Sequence, residues 1–236
     1  MNDYAITIMS FSPKQPTIVK SVLACPTVSK LVFPAFMYTH IDGGIDFNSA
    51  SEFELNLVPK EYYAEGLVNI PIDGKNGIKF SSTIYEGETV VPNVVIMKFN
   101  SQHLEEGIVN QDNLQALLTE IIPIFDTDHA SIYPRRKKGS KRVPPKYYRT
   151  PDYKSYPLDV AWINYYGPEM IKLLGRWRFN RLKSCAYKYD VGEGIMMILQ
   201  EEPLDKDNEE HQKRIAKAEA EMGFAELLES DLVVEV

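Results

Sequence analysis

Turn signals between two apolar runs constrain the fold of this chain most. The segment Asp73–Gly77 contains an Asp-Gly pair and an Asn-Gly pair, and it separates the runs Gly66–Ile72 and Ile78–Tyr85. Asp, Asn and Gly tolerate the positive φ angles of tight hairpin turns, so we predict a β-hairpin here. Val94–Phe99 predicts a further strand. Part of the core must therefore come from paired strands.

Helical periodicity appears further along the chain. Apolar residues recur at three- and four-residue spacing in Asp112–Phe125, which predicts an amphipathic helix that Pro123 bends or stops. Pro168 after Gly167 predicts the start of a second helix that Gly175 ends. Further strands are predicted at Ala130–Tyr133, Val160–Tyr166, Cys185–Val191 and Gly194–Gln200, and a polar helix at residues 208–222.

This order of elements favours an α+β fold, with a mixed or antiparallel sheet and helices packed mainly on one face. The first half is mostly β, and Ser51–Val58 adds a half-buried strand because its apolar residues alternate with polar ones. No flexible linker rich in Gly and Ser appears before Arg135. We therefore predict a single domain covering residues 1–236.

Charge is distributed unevenly in a chain whose formal net charge is −7. Arg135–Arg149 contains eight basic residues and no acidic one, whereas most of the remaining chain is acidic. We predict an exposed basic loop here, either a solvated insertion or a contact for phosphate or for an acidic patch. An acidic body argues against nucleic acid as the main ligand, because phosphate binding requires a basic field. It is compatible with a basic protein partner.

No motif for catalysis or metal binding is present in the sequence. His40 near Asp42 could form a catalytic pair, but a turn with an exposed histidine is the favoured interpretation. His103, His129 and His211 lie outside the spacings that bind zinc. We therefore predict no catalytic residue, no metal and no cofactor. The two cysteines, Cys25 and Cys185, are expected to be reduced thiols.

Two groups of residues are candidates for binding a partner. The first group is acidic and lies between a predicted strand and a predicted helix. These residues either bind a partner or serve as surface charge and helix caps. They are Glu201, Glu202, Asp205 and Asp207. Asp207 and Glu210 also have the spacing of a capping box. The second group consists of tyrosines in a polar loop, which either bind a partner or cover the adjacent sheet: Tyr147, Tyr148, Tyr153 and Tyr156. Trp162 and Tyr165 are expected in the core.

Three parts of the sequence together resemble immunity proteins of bacterial polymorphic-toxin systems. They are the segment Asp159–Tyr165, the Gly167–Gly175 helix, and Pro203–Asp205 before the helix with His211. The resemblance covers roughly residues 90–230 and is greatest to the immunity protein 52 group. It implies a non-enzymatic antidote that binds a cognate toxin domain. The implied toxin is a nuclease of the restriction-endonuclease-like class, delivered by type VI or contact-dependent secretion. The family supplies no catalytic residues to transfer.

Two other functions stay open at this point. One is a hydrolase or nuclease that uses dispersed carboxylates, and the other is a nucleic-acid-binding adaptor that acts through residues 135–149. The N-terminus has no basic segment followed by an apolar one, so we expect a cytoplasmic protein. The apolar stretches are too short to span a bilayer, so we expect no membrane partner.

Overall fold

The computed structural model describes residues 3–15, 17–32, 34–39, 43–46, 67–74, 76–85, 90–135 and 146–228. The chain forms two compact units, one ending at Thr127 and the other beginning at Asp128. The predicted strand at Ser51–Val58, the pair His40 and Asp42, and residues 136–145 of the basic segment lie outside the described residues. That the whole chain is a single domain stays a prediction.

The first unit is built on antiparallel strands. They are β1 (Asp3–Ser10), β2 (Pro34–Thr39), β3 (Gly43–Asp46), β4 (Leu67–Gly74), β5 (Lys79–Tyr85) and β6 (Asn93–Asn100). Among the described residues they pair in the order β1-β6-β5-β4-β2-β3, each pair antiparallel. The predicted hairpin is confirmed as β4 and β5, and Gly77 in its turn has a φ of 76°. The predicted strand Val94–Phe99 is confirmed as β6.

Four helices are described in the first unit: α1 (Ile18–Leu23), α2 (Pro26–Leu31), α3 (Ser101–Glu105) and α4 (Gln111–Phe125). The predicted helix is confirmed as α4, whose apolar stripe is buried. It begins with reciprocal hydrogen bonds between Asn110 and Asn113. Pro123 lies inside the last turn and does not end the helix, which continues to Phe125 and stops at Asp126 with a left-handed φ of 48°.

The second unit has its own antiparallel strands. They are β7 (His129–Pro134), β8 (Tyr147–Arg149), β9 (Ser155–Pro157), β10 (Ile163–Tyr166), β11 (Tyr187–Val191) and β12 (Gly194–Ile198). Four of them pair in the order β11-β12-β10-β7, and β8 pairs with β9 in a separate hairpin. With these strands and helices in both units, the predicted α+β class is confirmed.

The strand predicted from Val160 begins later, at Ile163. The Asn164 side chain accepts a hydrogen bond from the Ala161 N–H at 3.0 Å and donates one to the Ala161 carbonyl at 2.9 Å. This local ring occupies backbone groups that a longer strand would use for pairing. Trp162 and Tyr165 are buried, so their predicted place in the core is confirmed. All five residues of β12 are also buried, as expected from their uninterrupted apolar run.

The helices described in the second unit are α5 (Pro168–Leu174), α6 (Arg176–Arg181), α7 (Glu209–Met222) and α8 (Phe224–Leu228). The predicted capping box at Asp207 is wrong, because the residue that caps α7 is Asn208. The Asn208 side chain accepts hydrogen bonds from the N–H groups of Glu210 at 2.9 Å and His211 at 3.4 Å. The buried residues of α7 are Ala218 and Met222, and the other described side chains of this helix are exposed or half-buried, as suits a helix predicted to be polar.

Replacing Asn208 with alanine is expected to lower the free energy of unfolding by about 1 kcal/mol, the usual cost of losing a helix cap. Asp207→Ala is the matched control and is expected to change this free energy by less than about 0.5 kcal/mol. Urea unfolding followed by circular dichroism measures both variants. A larger loss for the Asp207 variant than for the Asn208 variant would show that the cap is assigned to the wrong residue.

Membrane-spanning potential can be judged from helix length and hydropathy. No helix in the described part of the chain is long and apolar enough to cross a bilayer.

Candidate interaction surface

Four carboxylates lie on the short connection between β12 and α7, residues Glu201–Asp207, which we call the acidic turn. Glu201, Glu202 and Asp207 are exposed, and Asp205 is half-buried. The acidic residues singled out from the sequence therefore face solvent on a single turn. Their combined negative potential is available to a basic partner.

A histidine on α7 holds the acidic turn in place. The Asp205 N–H donates a hydrogen bond to His211 Nδ1 at 2.9 Å, so in the neutral ring the proton is on Nε2. That nitrogen lies 3.5 Å from Glu202 Oε1. The Asp207 N–H donates to Asp205 Oδ1 at 2.9 Å. Because these bonds already order the turn, binding a partner would cost little conformational entropy.

Exposed tyrosines on β11 extend the acidic turn. Tyr187 is 47% exposed, and its hydroxyl donates a hydrogen bond to Glu201 Oε1 at 2.6 Å. This bond is the main reason why the pKa of Tyr187 is raised. Tyr189 is also exposed. Neither residue was selected from the sequence, although tyrosines alternating with Lys188 and Asp190 are typical of a strand at the end of a sheet.

The opposite face of β11 has internal partners. Lys188 Nζ donates to the carbonyls of Phe179 and Leu182 at the end of α6, at 2.5 and 3.2 Å. Asp190 forms an ion pair with Arg176 at 2.7 Å. Both charged side chains of this face therefore bind α6, and the aromatic residues Tyr187 and Tyr189 lie on the other face.

Trp177 on α6 is a third exposed aromatic residue that was not selected from the sequence. Its side chain is 48% exposed. The guanidinium groups of Arg178 and Arg181 lie 4.5 and 5.2 Å from the centre of its ring. Trp, Tyr and Arg are the residue types most enriched at the energetic centres of protein interfaces.

The tyrosines singled out from the sequence lie on the β8–β9 hairpin, residues 147–157, which we call the tyrosine hairpin. Tyr147 and Tyr148 are half-buried, and Tyr153 in the turn is 63% exposed. Tyr156 is 2% exposed. Tyr156 was expected either to bind a partner or to cover the adjacent sheet, and its burial agrees with the second alternative. It points into the core from β9, and burial raises its pKa above the usual range.

The structure describes the two ends of the basic segment. Its last three residues, Tyr147–Arg149, form strand β8, so the prediction of a loop over the whole of Arg135–Arg149 is wrong for these residues. Arg135 and Lys146, on either side of residues 136–145, are exposed. Arg149 packs its guanidinium group 5.0 Å from the Tyr153 ring centre. This arginine therefore belongs to the tyrosine hairpin rather than to a solvated loop.

A cleft of about 450 Å³ opens beside α7. Its lining consists of Ser184, Cys185, Ala186, Leu199, Glu210, Lys213, Arg214 and Lys217. Its carboxylate, Glu210, forms an ion pair with Lys213 at 2.8 Å, so the cleft offers no carboxylate pair for acid–base chemistry. Burial raises the pKa of the Cys185 thiol, which makes it a poor nucleophile. Among the described residues no three His, Cys, Asp or Glu side chains converge as a metal site.

Comparisons with known proteins identify solved structures of similar fold. No protein-family model matches the sequence, and no curated protein sequence matches it. A solved structure described as the Pseudomonas aeruginosa T6SS protein PA0821 aligns with a TM-score of 0.58 and 11% sequence identity. The alignment covers 99% of this chain and 90% of that protein. Membership of the immunity protein 52 group stays a prediction. The chain is similar in fold, along nearly its whole length, to a protein of a type VI secretion system.

Proposed function

We propose that this chain is an immunity protein that binds a cognate toxin and neutralises it without catalysing a reaction. The toxin is a nuclease effector of a type VI or contact-dependent system, and the complex forms in the cytoplasm. The acidic turn is the observation that carries the proposal. Three of its four carboxylates are exposed, and His211 orders the turn through the Asp205 N–H and Glu202 before any partner arrives. A nuclease presents a basic surface to nucleic acid, and such a surface complements this turn.

Three further observations support the proposal. The fold likeness extends over nearly the whole chain to a protein that is itself described as part of a type VI system. The sequence resembles the immunity protein 52 group in the second half. The acidic turn is also continuous with the exposed Tyr187, which adds an aromatic contact next to the charges. Aromatic anchors beside complementary charge are typical of tight protein–protein interfaces.

Co-expression tests this function directly. The chain is produced together with the product of the adjacent gene, which is tested as the toxin domain, and growth is compared with that of cells producing this product alone. We expect restored growth and a stoichiometric complex that survives size-exclusion chromatography. Neither rescue nor complex formation would reject the proposal and give priority to the enzyme and the nucleic-acid adaptor.

The contribution of the acidic turn is tested by neutralising it. The triple variant Glu201→Gln, Glu202→Gln, Asp207→Asn is expected to lower the association rate constant with the toxin domain by about tenfold at low salt. The physical reason is the loss of long-range attraction, so the rate constant should also become less sensitive to salt. Stopped-flow measurements at about 50 and 500 mM NaCl provide both quantities.

Glu169→Gln is the matched control, because Glu169 is an exposed carboxylate of the same unit on α5. It is expected to change the association rate constant by less than about twofold. If the triple variant associates as fast as the original chain at low salt, the acidic turn does not steer the toxin.

A further inference from the structure

Tyr153 has a backbone conformation that is unfavourable for its side chain. Its φ angle is 68°, in the left-handed region where glycine and asparagine are common and bulky residues are rare. Among the described residues the other non-glycine residue with positive φ is Asp126, a residue type that tolerates this region better. A glycine at position 153 would make the same turn without the steric conflict.

The turn itself is defined by hydrogen bonds that do not involve the tyrosine ring. The Thr150 N–H donates to the Lys154 carbonyl at 2.8 Å, and the Tyr153 N–H donates to the Thr150 carbonyl at 2.9 Å. The Lys154 N–H donates to Thr150 Oγ1 at 3.0 Å. Backbone groups and one threonine hydroxyl therefore close this turn, so the fold does not require a large side chain at position 153.

Burial does not explain the tyrosine either, because most of its side chain faces solvent. Its ring contact is the Arg149 guanidinium group, 5.0 Å from the ring centre, which limits the orientations of the ring. A strained residue that the fold does not need is typical of functional sites, where the benefit appears on binding. Tyrosine is also a rigid anchor, because few torsions are lost when its ring enters a pocket.

We propose that Tyr153 is the anchor by which the tyrosine hairpin enters an apolar pocket on the toxin. This inference rests on the proposed function and specifies a second contact, separate from the acidic turn. The pocket that fits this side chain has apolar walls for the ring and a hydrogen-bonding group for the hydroxyl. The Arg149 stack holds the ring ready for entry, which lowers the entropy cost of binding.

The test separates folding from binding by relieving the backbone conflict. Tyr153→Gly and Tyr153→Asn remove the ring and place a residue that tolerates positive φ. We expect both variants to have a Tm equal to or above that of the original chain. We also expect the Kd for the toxin domain of the adjacent gene to rise about 30-fold or more, which corresponds to the 2 kcal/mol that defines a hot spot. Differential scanning fluorimetry and isothermal titration calorimetry measure the two quantities.

Two further variants make the test specific. Tyr153→Phe keeps the ring but leaves the partner of the hydroxyl unpaired, so it is expected to raise the Kd by about tenfold, less than Tyr153→Gly. Pro151→Ala alters an exposed residue of the same turn but keeps the tyrosine, and the Kd should stay within about threefold. A rise for Pro151→Ala as large as that for Tyr153→Gly would mean that turn geometry, not the ring, is recognised, and the inference would be rejected.

Other outcomes are also decisive. If the original chain binds the toxin and Tyr153→Gly binds equally well, the anchor is rejected and the proposed function stands. If the Gly and Asn variants both unfold at clearly lower temperature, Tyr153 has a structural role and the anchor is rejected. If these variants change self-association in sedimentation experiments but not toxin binding, the ring contacts a second copy of the chain instead. If the original chain binds no toxin, the anchor and the proposed function fail together.

Discussion

Replacing Arg178 with alanine is expected to lower the free energy of unfolding by about 4 kcal/mol, because three carbonyl groups lose a charged donor and the buried stem leaves a cavity. Arg178 is 7% exposed. Its Nε donates to the Leu174 carbonyl at 2.9 Å, and its Nη1 donates to the carbonyls of Met222 and Gly223 at 2.8 and 3.0 Å. The carbonyls of Leu174 and Met222 belong to the last residues of α5 and α7, where the helix itself supplies no further N–H donor, and Gly223 directly follows α7.

The Arg178 guanidinium group lies very close to the backbone of Gly223 at the C-terminal end of α7. A Cβ atom at position 223 would lie 2.0 Å from Arg178 Nη1, and the φ angle of Gly223 is +64°. Glycine therefore allows α7 to end directly against the guanidinium group. Arg178→Met keeps much of the aliphatic stem but leaves the carbonyls without a donor, so we expect it to cost about 3 kcal/mol.

Arg176→Ala is the matched control two residues earlier on the same helix. Arg176 is exposed and its ion pair with Asp190 is more than half solvent-accessible on both sides, so the expected loss is below about 1 kcal/mol. Guanidinium chloride unfolding monitored by tryptophan fluorescence measures all three variants. An Arg178→Ala cost as small as that of Arg176→Ala would show that the buried network contributes little net stability.

The second large effect concerns pH and His129. This residue on β7 is buried, and neither ring nitrogen has a hydrogen-bond partner among the described residues. Burial lowers its pKa from 6.5 to about 3. The unfolded chain therefore binds a proton between these pH values while the folded chain does not. The free energy of unfolding therefore keeps its full contribution from the neutral ring above about pH 6.5 and loses it progressively as the pH falls towards 3. At pH 4.5 the loss is about 3 kcal/mol relative to neutral pH.

The effect is isolated by comparing pH profiles. His129→Leu removes the titrating group, so the loss of stability between about pH 7.5 and 4.5 should be smaller than in the original chain by about 3 kcal/mol. Ile132→Val on the same strand removes a buried methylene and no titrating group, and it should keep the original pH dependence. Urea unfolding at several pH values measures each profile. Parallel profiles for the original chain and His129→Leu would contradict a neutral buried ring.

Local sequence determined the elements whose signals lie within a few residues. The α4 helix followed from apolar spacing over four turns, and the β4–β5 hairpin followed from turn residues that permit positive φ. The uninterrupted apolar run of β12 was correctly expected to be buried on both faces. The predictions from local sequence were wrong mainly about the residues at which helices and strands begin. Asp207 and Asn208 are both good caps, and the choice between them depended on which side chain faces the first N–H groups of α7.

Some of the candidate contact residues could be identified from local sequence, whereas the exposure of others depends on the fold. Sequence identified the acidic turn, because a dense run of carboxylates before a helix is visible locally. It did not identify Trp177 or Tyr187, since an aromatic residue on an amphipathic element is usually packed. Their exposure follows from the position of β11 at the end of its sheet and from the contacts of α6. Those contacts join residues far apart in the sequence.

The tyrosine hairpin shows most clearly what the sequence by itself determined and what only the tertiary structure decided. Tyr153 and Tyr156 are three residues apart in the same polar segment, and composition gives them the same expectation. In the folded chain Tyr156 is buried and Tyr153 is exposed with a left-handed backbone. Strand alternation and turn geometry set these directions only after β8 and β9 pair. Residue type determined the chemistry available, and pairing decided which ring a partner can reach.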